Sequence, residues 1–198
     1  MPKRYDRAYF DRWYRGTSRV STPTEVRRKV TLAVSICEYF LRRRIRSVLD
    51  VACGEAAWAP HLRALRPGIA YQGIDPSAYA VRRFGRSRNV IRGSFGEVAK
   101  LRLARQFDLV VCADALHYVG DEEIRGGITE LARLCAGTAY FEVLTSEDDI
   151  IGDLEGLIQR PARWYRETFG QAGFVSVGPY SWLSPALAGD ASALESNG

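Results

Sequence analysis

The residues best suited to chemistry lie where short apolar runs end. Ser47–Val51 has the makings of a buried strand and runs into Ala52-Cys53-Gly54, small residues that let a backbone turn sharply and approach a ligand closely. Asp75 closes a second run, Ile69–Ile74, and lies 21 residues beyond Gly54. An acid at that offset accepts hydrogen bonds from both hydroxyls of a ribose, or else caps the helix that follows Pro76. A third run, Phe107–Cys112, leads to Asp114 and then to His117-Tyr118. The unperturbed pKa of histidine, about 6.5, suits His117 to general-base work. Its competing role is to cap a backbone group, and Tyr118 either shapes a pocket or packs. His61, inside a helical stretch, reads as surface or structural. The turn lacks the three glycines that a pyrophosphate needs before a first helix, which argues against a dinucleotide dehydrogenase.

Such residues meet only if the elements behind them alternate. Strands are expected at Ser47–Val51, Ile69–Ile74, Asn89–Arg92, Phe107–Cys112, Thr138–Leu144, Gly173–Val177 and Tyr180–Leu183, with helices at Glu55–Leu65, Ser77–Phe84, Asp121–Cys135 and Pro161–Ala172. That order is α/β: a doubly wound, mostly parallel seven-stranded sheet with helices on both faces. Right-handed crossovers place the C-terminal strand ends on one rim, where ligands bind. Two helices precede the sheet. Residues 4–15 carry Tyr5, Tyr9 and Trp13 at a spacing of four, one face of a helix that Gly16 ends, and Thr22-Pro23 caps a second. The first has no place in the sheet and is read as a lid, with plain packing on the domain as the alternative. The domain reading is a helical lid and packing helix over 1–46, a core over 47–188 and a flexible tail over 189–198.

Leu49-Asp50-Val51-Ala52-Cys53-Gly54-Glu55 resembles the first motif of class I S-adenosylmethionine-dependent methyltransferases, a Rossmann-like family. Gly73-Ile74-Asp75-Pro76-Ser77 resembles the second, Arg92-Gly93-Ser94-Phe95 falls where that family contacts adenine, and Phe107 through Val119 resembles the fourth. Ala172-Gly173-Phe174 is similar to the strand after the last helix, so the likeness covers roughly 47–178 in order. The resemblance implies S-adenosylmethionine as cofactor. It implies that Asp50 orients the turn, Ala52, Cys53 and Gly54 meet the methionine part, and Asp75 with Pro76 holds the ribose. Ser94 and Phe95 flank the adenine, and Ala113 and Asp114 lie near the amino group. Independently of the resemblance, the lid reading sets Tyr5, Tyr9, Trp13 and Tyr14 over the cofactor and Arg19 at its carboxylate. Ala52 and Ala56 stand where the family usually has glycine, and the Ala56 methyl is expected to press on the cofactor. His117 and Tyr118 are the catalytic candidates; Tyr9, Trp13, Trp164 and Arg160 are the substrate candidates.

The charge is divided along the chain. Residues 1–100 carry 21 Lys and Arg against 8 Asp and Glu, and residues 101–198 carry 7 against 15. Arg42, Arg43, Arg44 and Arg46, and also Arg82, Arg83, Arg86 and Arg88, precede strands and so belong on the rim away from the site. This disfavours nucleic acid as a partner, although Arg4, Arg7, Arg12 and Arg15 of the lid offer a phosphate track. The acids Glu147, Asp148, Asp149 and Asp153 belong to the active rim, and Glu142 is a weaker candidate inside an apolar strand. Four scattered cysteines read as reduced thiols in a cytoplasmic protein, no metal site is expected, and no apolar run reaches membrane-span length. The expectation is a monomeric or homodimeric enzyme that methylates an oxygen or nitrogen of a small molecule by in-line displacement. The alternatives are an RNA or DNA methyltransferase and a non-catalytic S-adenosylmethionine-binding partner protein.

Overall fold

A computed structural model describes residues 4–16, 19–103, 105–150 and 152–192. The core alternates strand and helix: β1 (Ser47–Val51), α3 (Trp58–Leu65), β2 (Ala70–Asp75), α4 (Ala78–Arg88), β3 (Val90–Arg92), β4 (Phe107–Ala113), α5 (Asp121–Leu134), β5 (Cys135–Glu142), α6 (Ala162–Gln171), β6 (Val175–Gly178) and β7 (Ser181–Leu183). Before it come α1 (Arg7–Phe10) and α2 (Pro23–Leu41). Among the described residues the strands form one sheet in the order β3-β2-β1-β4-β5-β7-β6. All neighbours run parallel except β7, which is antiparallel to β5 and to β6. The sheet is therefore the mixed, doubly wound one expected.

Alternation along the central strands fills both faces. Leu49, Val51, Val110 and Cys112 pack with α5 and α6, while Val48, Leu109 and Val111 pack with α2 and α3. Asp50 alternates onto the second face and is buried at the strand tip rather than in the middle of the core. Strand order reverses between β1 and β4, so the crevice at the switch point opens beside Asp50. Of the described residues, no helix is long and apolar enough to cross a membrane. The four cysteines are free.

Local differences from expectation have identifiable causes. The helix expected over 4–15 is one α turn, α1, continued by a π-helical turn over Asp11–Arg15, closed by the Gly16 amide bonding back to the Asp11 carbonyl at 3.1 Å. That slip moves Trp13 off the face shared by Tyr5 and Tyr9 and sets Tyr14 against Phe10, ring centres 5.0 Å apart. The helix expected from Glu55 begins at Trp58 because Ala56 sits at φ 54°, outside helical geometry. Instead of a tail starting at 189, a 3-10 helix spans Pro185–Ser192, and 193–198 lie outside the described residues.

Candidate functional site

The turn after β1 is made of left-handed residues. Ala52, Gly54 and Ala56 have φ of 57°, 54° and 54°. This is the conformation that favours glycine, and it costs an alanine about 1–2 kcal/mol. At Gly54 an added Cβ would lie 3.0 Å from the Tyr14 hydroxyl and 3.2 Å from the Phe10 ring, so the lid closes directly over the turn. The lid is fastened at three points. Ser77 Oγ donates to the Tyr5 carbonyl, Phe10 stacks on Tyr79 at 5.5 Å, and Arg15 pairs with Glu55.

Two cavities lie under the lid. The inner one, about 180 Å³, is walled by Tyr5, Tyr9, Gly54, Asp75, Pro76, Ser94, Phe95 and Tyr118 among others. The outer one, about 370 Å³, is walled by Trp13, Arg19, Lys29, Asp50, Cys53, Trp58, Ala113 and Glu142 among others. Tyr14, Ala52 and Asp114 line both and form the partition between them.

Asp75 is the centre of the inner cavity. Its Oδ2 accepts the Gly54 amide at 2.7 Å and its Oδ1 the Ser77 amide at 2.8 Å. The cap of α4 is Ser77, whose hydroxyl accepts the Ala80 amide at 3.1 Å, so Asp75 orients the capping residue and faces a ligand space. Burial pushes its carboxyl above the ordinary range, with those two amides opposing. A carboxylate has about four lone-pair positions, so acceptor capacity remains for a pair of hydroxyls. Beside it, a Ser94–Glu97 capping box starts a 3-10 helix over Phe95–Leu101. Phe95 is buried on Gly127 of α5, where any Cβ would collide with its ring at 2.2 Å. With Pro76, Ala115 and Val119, Phe95 supplies apolar walls fit for a flat base.

Asp50 anchors the outer cavity. It accepts the Tyr71 hydroxyl at 2.6 Å. Burial drives its carboxyl up to about 7; Tyr71 opposes this and the charge of Asp75 adds to it. Lys29 of α2 pairs with Glu142 Oε1 at 2.5 Å, while the buried Glu142 Oε2 has no hydrogen-bond partner among the described residues.

The structure brings every residue expected around the cofactor into one of these two walls, but it separates the other candidates. Tyr9 and Tyr118 line the inner cavity and Trp13 the outer. The Tyr118 hydroxyl donates to the Asp153 carbonyl at 2.6 Å, and burial followed by the Asp153 charge raises its pKa, so it stands as a neutral donor and not as a base. His117 is fully buried and lines neither cavity; its Nδ1 accepts the Leu144 amide at 3.2 Å. Direct contact with substrate is therefore closed to it, and the backbone-capping role is the one observed. Arg160 also lines neither cavity. Its guanidinium holds Asp121 at 2.7 Å, the Val119 carbonyl and the Tyr165 hydroxyl, clamping the segment after β4 to α6. Trp164 lies under that guanidinium, 4.7 Å away, and packs against the core. Both were expected at a substrate mouth because α6 starts on the active rim. The Arg160 side chain instead turns inward to the Leu116 and Val119 carbonyls, and the Trp164 ring packs beneath it. Ala56 is corrected as well: its methyl is fully buried in the core with Trp58 and Ala59 and touches neither cavity, whereas Ala52 is the methyl at the partition.

Three contributors to the outer cavity were not legible as such. Trp58 and Lys29 looked like ordinary helix residues. Arg88, assigned to the far rim, reaches back along α4 to donate to the carbonyls of Glu55 and Ala56. The acids after β5 are spent locally. Asp148 holds Thr145, and Glu147 receives the Ala162 amide.

Residues 48–137 match a family described as a methyltransferase domain. The fold is shared with an amino pentose methyltransferase from Micromonospora echinaspora, at TM-score 0.64 and 14% identity over 80% of this chain and 91% of that one. It is shared with the magnesium protoporphyrin IX methyltransferase of Synechocystis, at TM-score 0.57 and 19% identity over 90% of each chain. A SAM-dependent methyltransferase from Archaeoglobus fulgidus gives TM-score 0.65 and 12% identity over 86% of this chain and 75% of that one. No curated protein sequence matches. Residues 48–137 thus resemble a methyltransferase domain, and the sheet around them shares its fold with these methyltransferase structures.

Proposed function

We propose that this protein is an S-adenosylmethionine-dependent methyltransferase that transfers a methyl group to an oxygen or nitrogen of a small molecule. The observation that carries the reading is Asp75. It is a nearly buried carboxylate held by two backbone amides, paired with no cation among the described residues, at the wall of a cavity with a flat apolar slot. A buried acid kept without a counter-charge is costly unless it meets donors, and a ribose diol provides them. The cofactor, when bound, supplies a methyl group already made electrophilic by a cationic sulfur.

The chain's own residues then have binding and orienting work. Asp75 and Gly54 hold the sugar, Ser94, Phe95 and Pro76 hold the base, and Arg19 offers a cation to the amino-acid carboxylate. Ala52 and Cys53 present backbone to the methionine part, and the Ala113 carbonyl faces its amine. Asp50 stays behind the turn and keeps it in shape through Tyr71. The lid excludes water and holds the acceptor in line with the methyl group, which is where most of the rate gain arises in such a displacement. Small molecules are favoured over nucleic acid as acceptors because three of the four lid arginines are engaged: Arg7 and Arg15 pair with Asp11, Arg15 also with Glu55, and Arg12 lies over Trp13.

Calorimetric titration with S-adenosylhomocysteine tests the reading. Wild-type protein is expected to bind it. Asp75→Ala is expected to weaken binding by about 1–3 kcal/mol through lost charge-assisted hydrogen bonds. Unchanged affinity in the variant would remove the sugar-binding role, and no heat with wild-type protein would remove the enzyme reading altogether.

A further inference from the structure

We infer that the rim opposite the candidate site is a docking surface for a single-stranded nucleic acid, held through its phosphates by exposed arginines and through a base by Tyr39.

The helices run back against their strands, so α2, α3 and α4 end on the rim where β1, β2 and β3 begin, beside the start of β4. These ends are joined edge to edge. The Ala70 amide bonds to the Arg46 carbonyl at 2.9 Å, the Arg46 amide to Asp108 at 2.6 Å, and the Arg63 guanidinium to the Ser87 carbonyl at 3.0 Å. One band therefore gathers Arg42, Arg44 and Arg46 ahead of β1, Arg63 and Arg86 in the last turns of α3 and α4, and Arg105 ahead of β4. All of these side chains are exposed. None of them forms an ion pair among the described residues. The acids between these segments are already held, Asp108 by Arg43 and Glu38 by Arg66.

Helix dipoles explain only part of this charge. Cations at the ends of α2, α3 and α4 suit the negative end of each dipole. Arg44, Arg46 and Arg105 lie outside any helix. Like charges gathered this way repel one another, and the fold sets no free acid among them. A polyanion relieves that repulsion.

The chemistry of the band selects the polyanion. Guanidinium groups fork onto phosphate oxygens. Tyr39 is 71% exposed, and its carbonyl accepts the Arg42 amide at 3.3 Å, so its ring stands one turn from the arginines. An open aromatic face beside such charge stacks an unpaired base. A bilayer asks for a broad apolar face to insert, whereas Tyr39 is the one large apolar side chain exposed on this band among the described residues. An acidic peptide meets the charge but brings no base to stack. The five residues of β1 put the band on the order of 17 Å from the turn over Asp75. The nucleic acid is thus a docking partner and not the methyl acceptor, and the inference stands apart from the donor-binding reading.

The test titrates the full chain into a fluorescein-labelled oligouridylate of roughly 20 nucleotides, long enough to span such a site, and follows anisotropy. With about four to six phosphates contacted, affinity is expected to fall about 50- to 300-fold between about 50 and 200 mM salt. The combined variant Arg42→Gln, Arg44→Gln, Arg46→Gln is expected to bind at least about tenfold more weakly at the lower salt, with a log–log salt slope shallower by about 2. The pair Arg63→Gln, Arg105→Gln is expected to weaken binding from the neighbouring segments. Tyr39→Ala is expected to cost about fivefold or more and leave the salt slope unchanged. The lid pair Arg4→Gln, Arg12→Gln is expected to bind as the wild type does. S-adenosylhomocysteine affinity is expected to be the same in the wild type and in every rim variant. Any of four results would overturn the inference: no binding at the lower salt, rim or Tyr39 variants that bind as the wild type does, equal loss in the lid pair, or polyglutamate or phosphatidylserine vesicles bound as tightly as the oligouridylate.

Discussion

Two buried acids, Asp108 near the start of β4 and Asp50 near the end of β1, sit at opposite ends of the same central strands under opposite electrostatic rules. Asp108 takes both guanidinium arms of Arg43, at 2.7 and 3.0 Å, and the Arg46 amide at 2.6 Å. Burial pushes its carboxyl up, but the Arg43 and Arg46 hydrogen bonds outweigh that and hold it below the ordinary range. Asp50 receives one neutral phenol, and burial carries it to about 7. The rim away from the site neutralises its acid for stability. The ligand rim keeps Asp50 and Asp75 short of positive charge, an arrangement that favours a ligand bringing donors or a cation of its own.

Linkage gives the two acids opposite pH signatures. A carboxyl raised in the folded state contributes stability below its folded pKa that is lost as pH rises from about 4 toward about 7. Asp108, lowered in the folded state, contributes stability above its unfolded pKa that is lost as pH falls. The largest expected effect is at Asp50. Asp50→Asn should remove a fall of about 2–4 kcal/mol in unfolding free energy between pH 4 and 8, read as the wild-type-minus-variant difference in urea melts. A difference that does not change with pH would end the contrast. Next is Asp108→Ala, which strips Arg43 and Arg46 of their acceptor and should destabilise by about 2–3 kcal/mol at pH 7. S-adenosylhomocysteine affinity should be untouched, because this end holds no part of the site. The smallest is Ala52→Gly. Relief of a left-handed alanine, partly offset by added unfolded-state freedom, should stabilise by about 0.5 kcal/mol. Thermal unfolding would detect that shift, and a loss of stability would show that the Ala52 methyl is held by packing.

Much of the architecture was readable because it rests on local rules. Thr22 and Glu25 form the capping box that starts α2, with Pro23 at its first turn. The apolar runs of β1 and β4 are long enough for a strand and too short for a helix. The small residues after β1 announced a tight turn, and the three left-handed φ values there explain why glycine is the common choice at such positions. The lid was readable as a helix but not as a π-helical turn, because a one-residue slip leaves no trace in aromatic spacing. The roles of Arg160 and Arg88 were hidden for a related reason. A long side chain satisfies whichever carbonyls the fold leaves short, and which ones those are is a property of packing.

The sequence by itself determined the order of strands and helices, the rim on which the site lies and the acid at the tip of β2, since periodicity, chain handedness and turn chemistry act over a few residues. Only the tertiary structure decided that His117 faces inward while Asp114 faces the cavities, that Ala56 belongs to the core and Ala52 to the site, and that α2 brings Lys29 to Glu142. These outcomes depend on which buried polar groups find partners across the fold, and that matching is made between residues far apart in the chain.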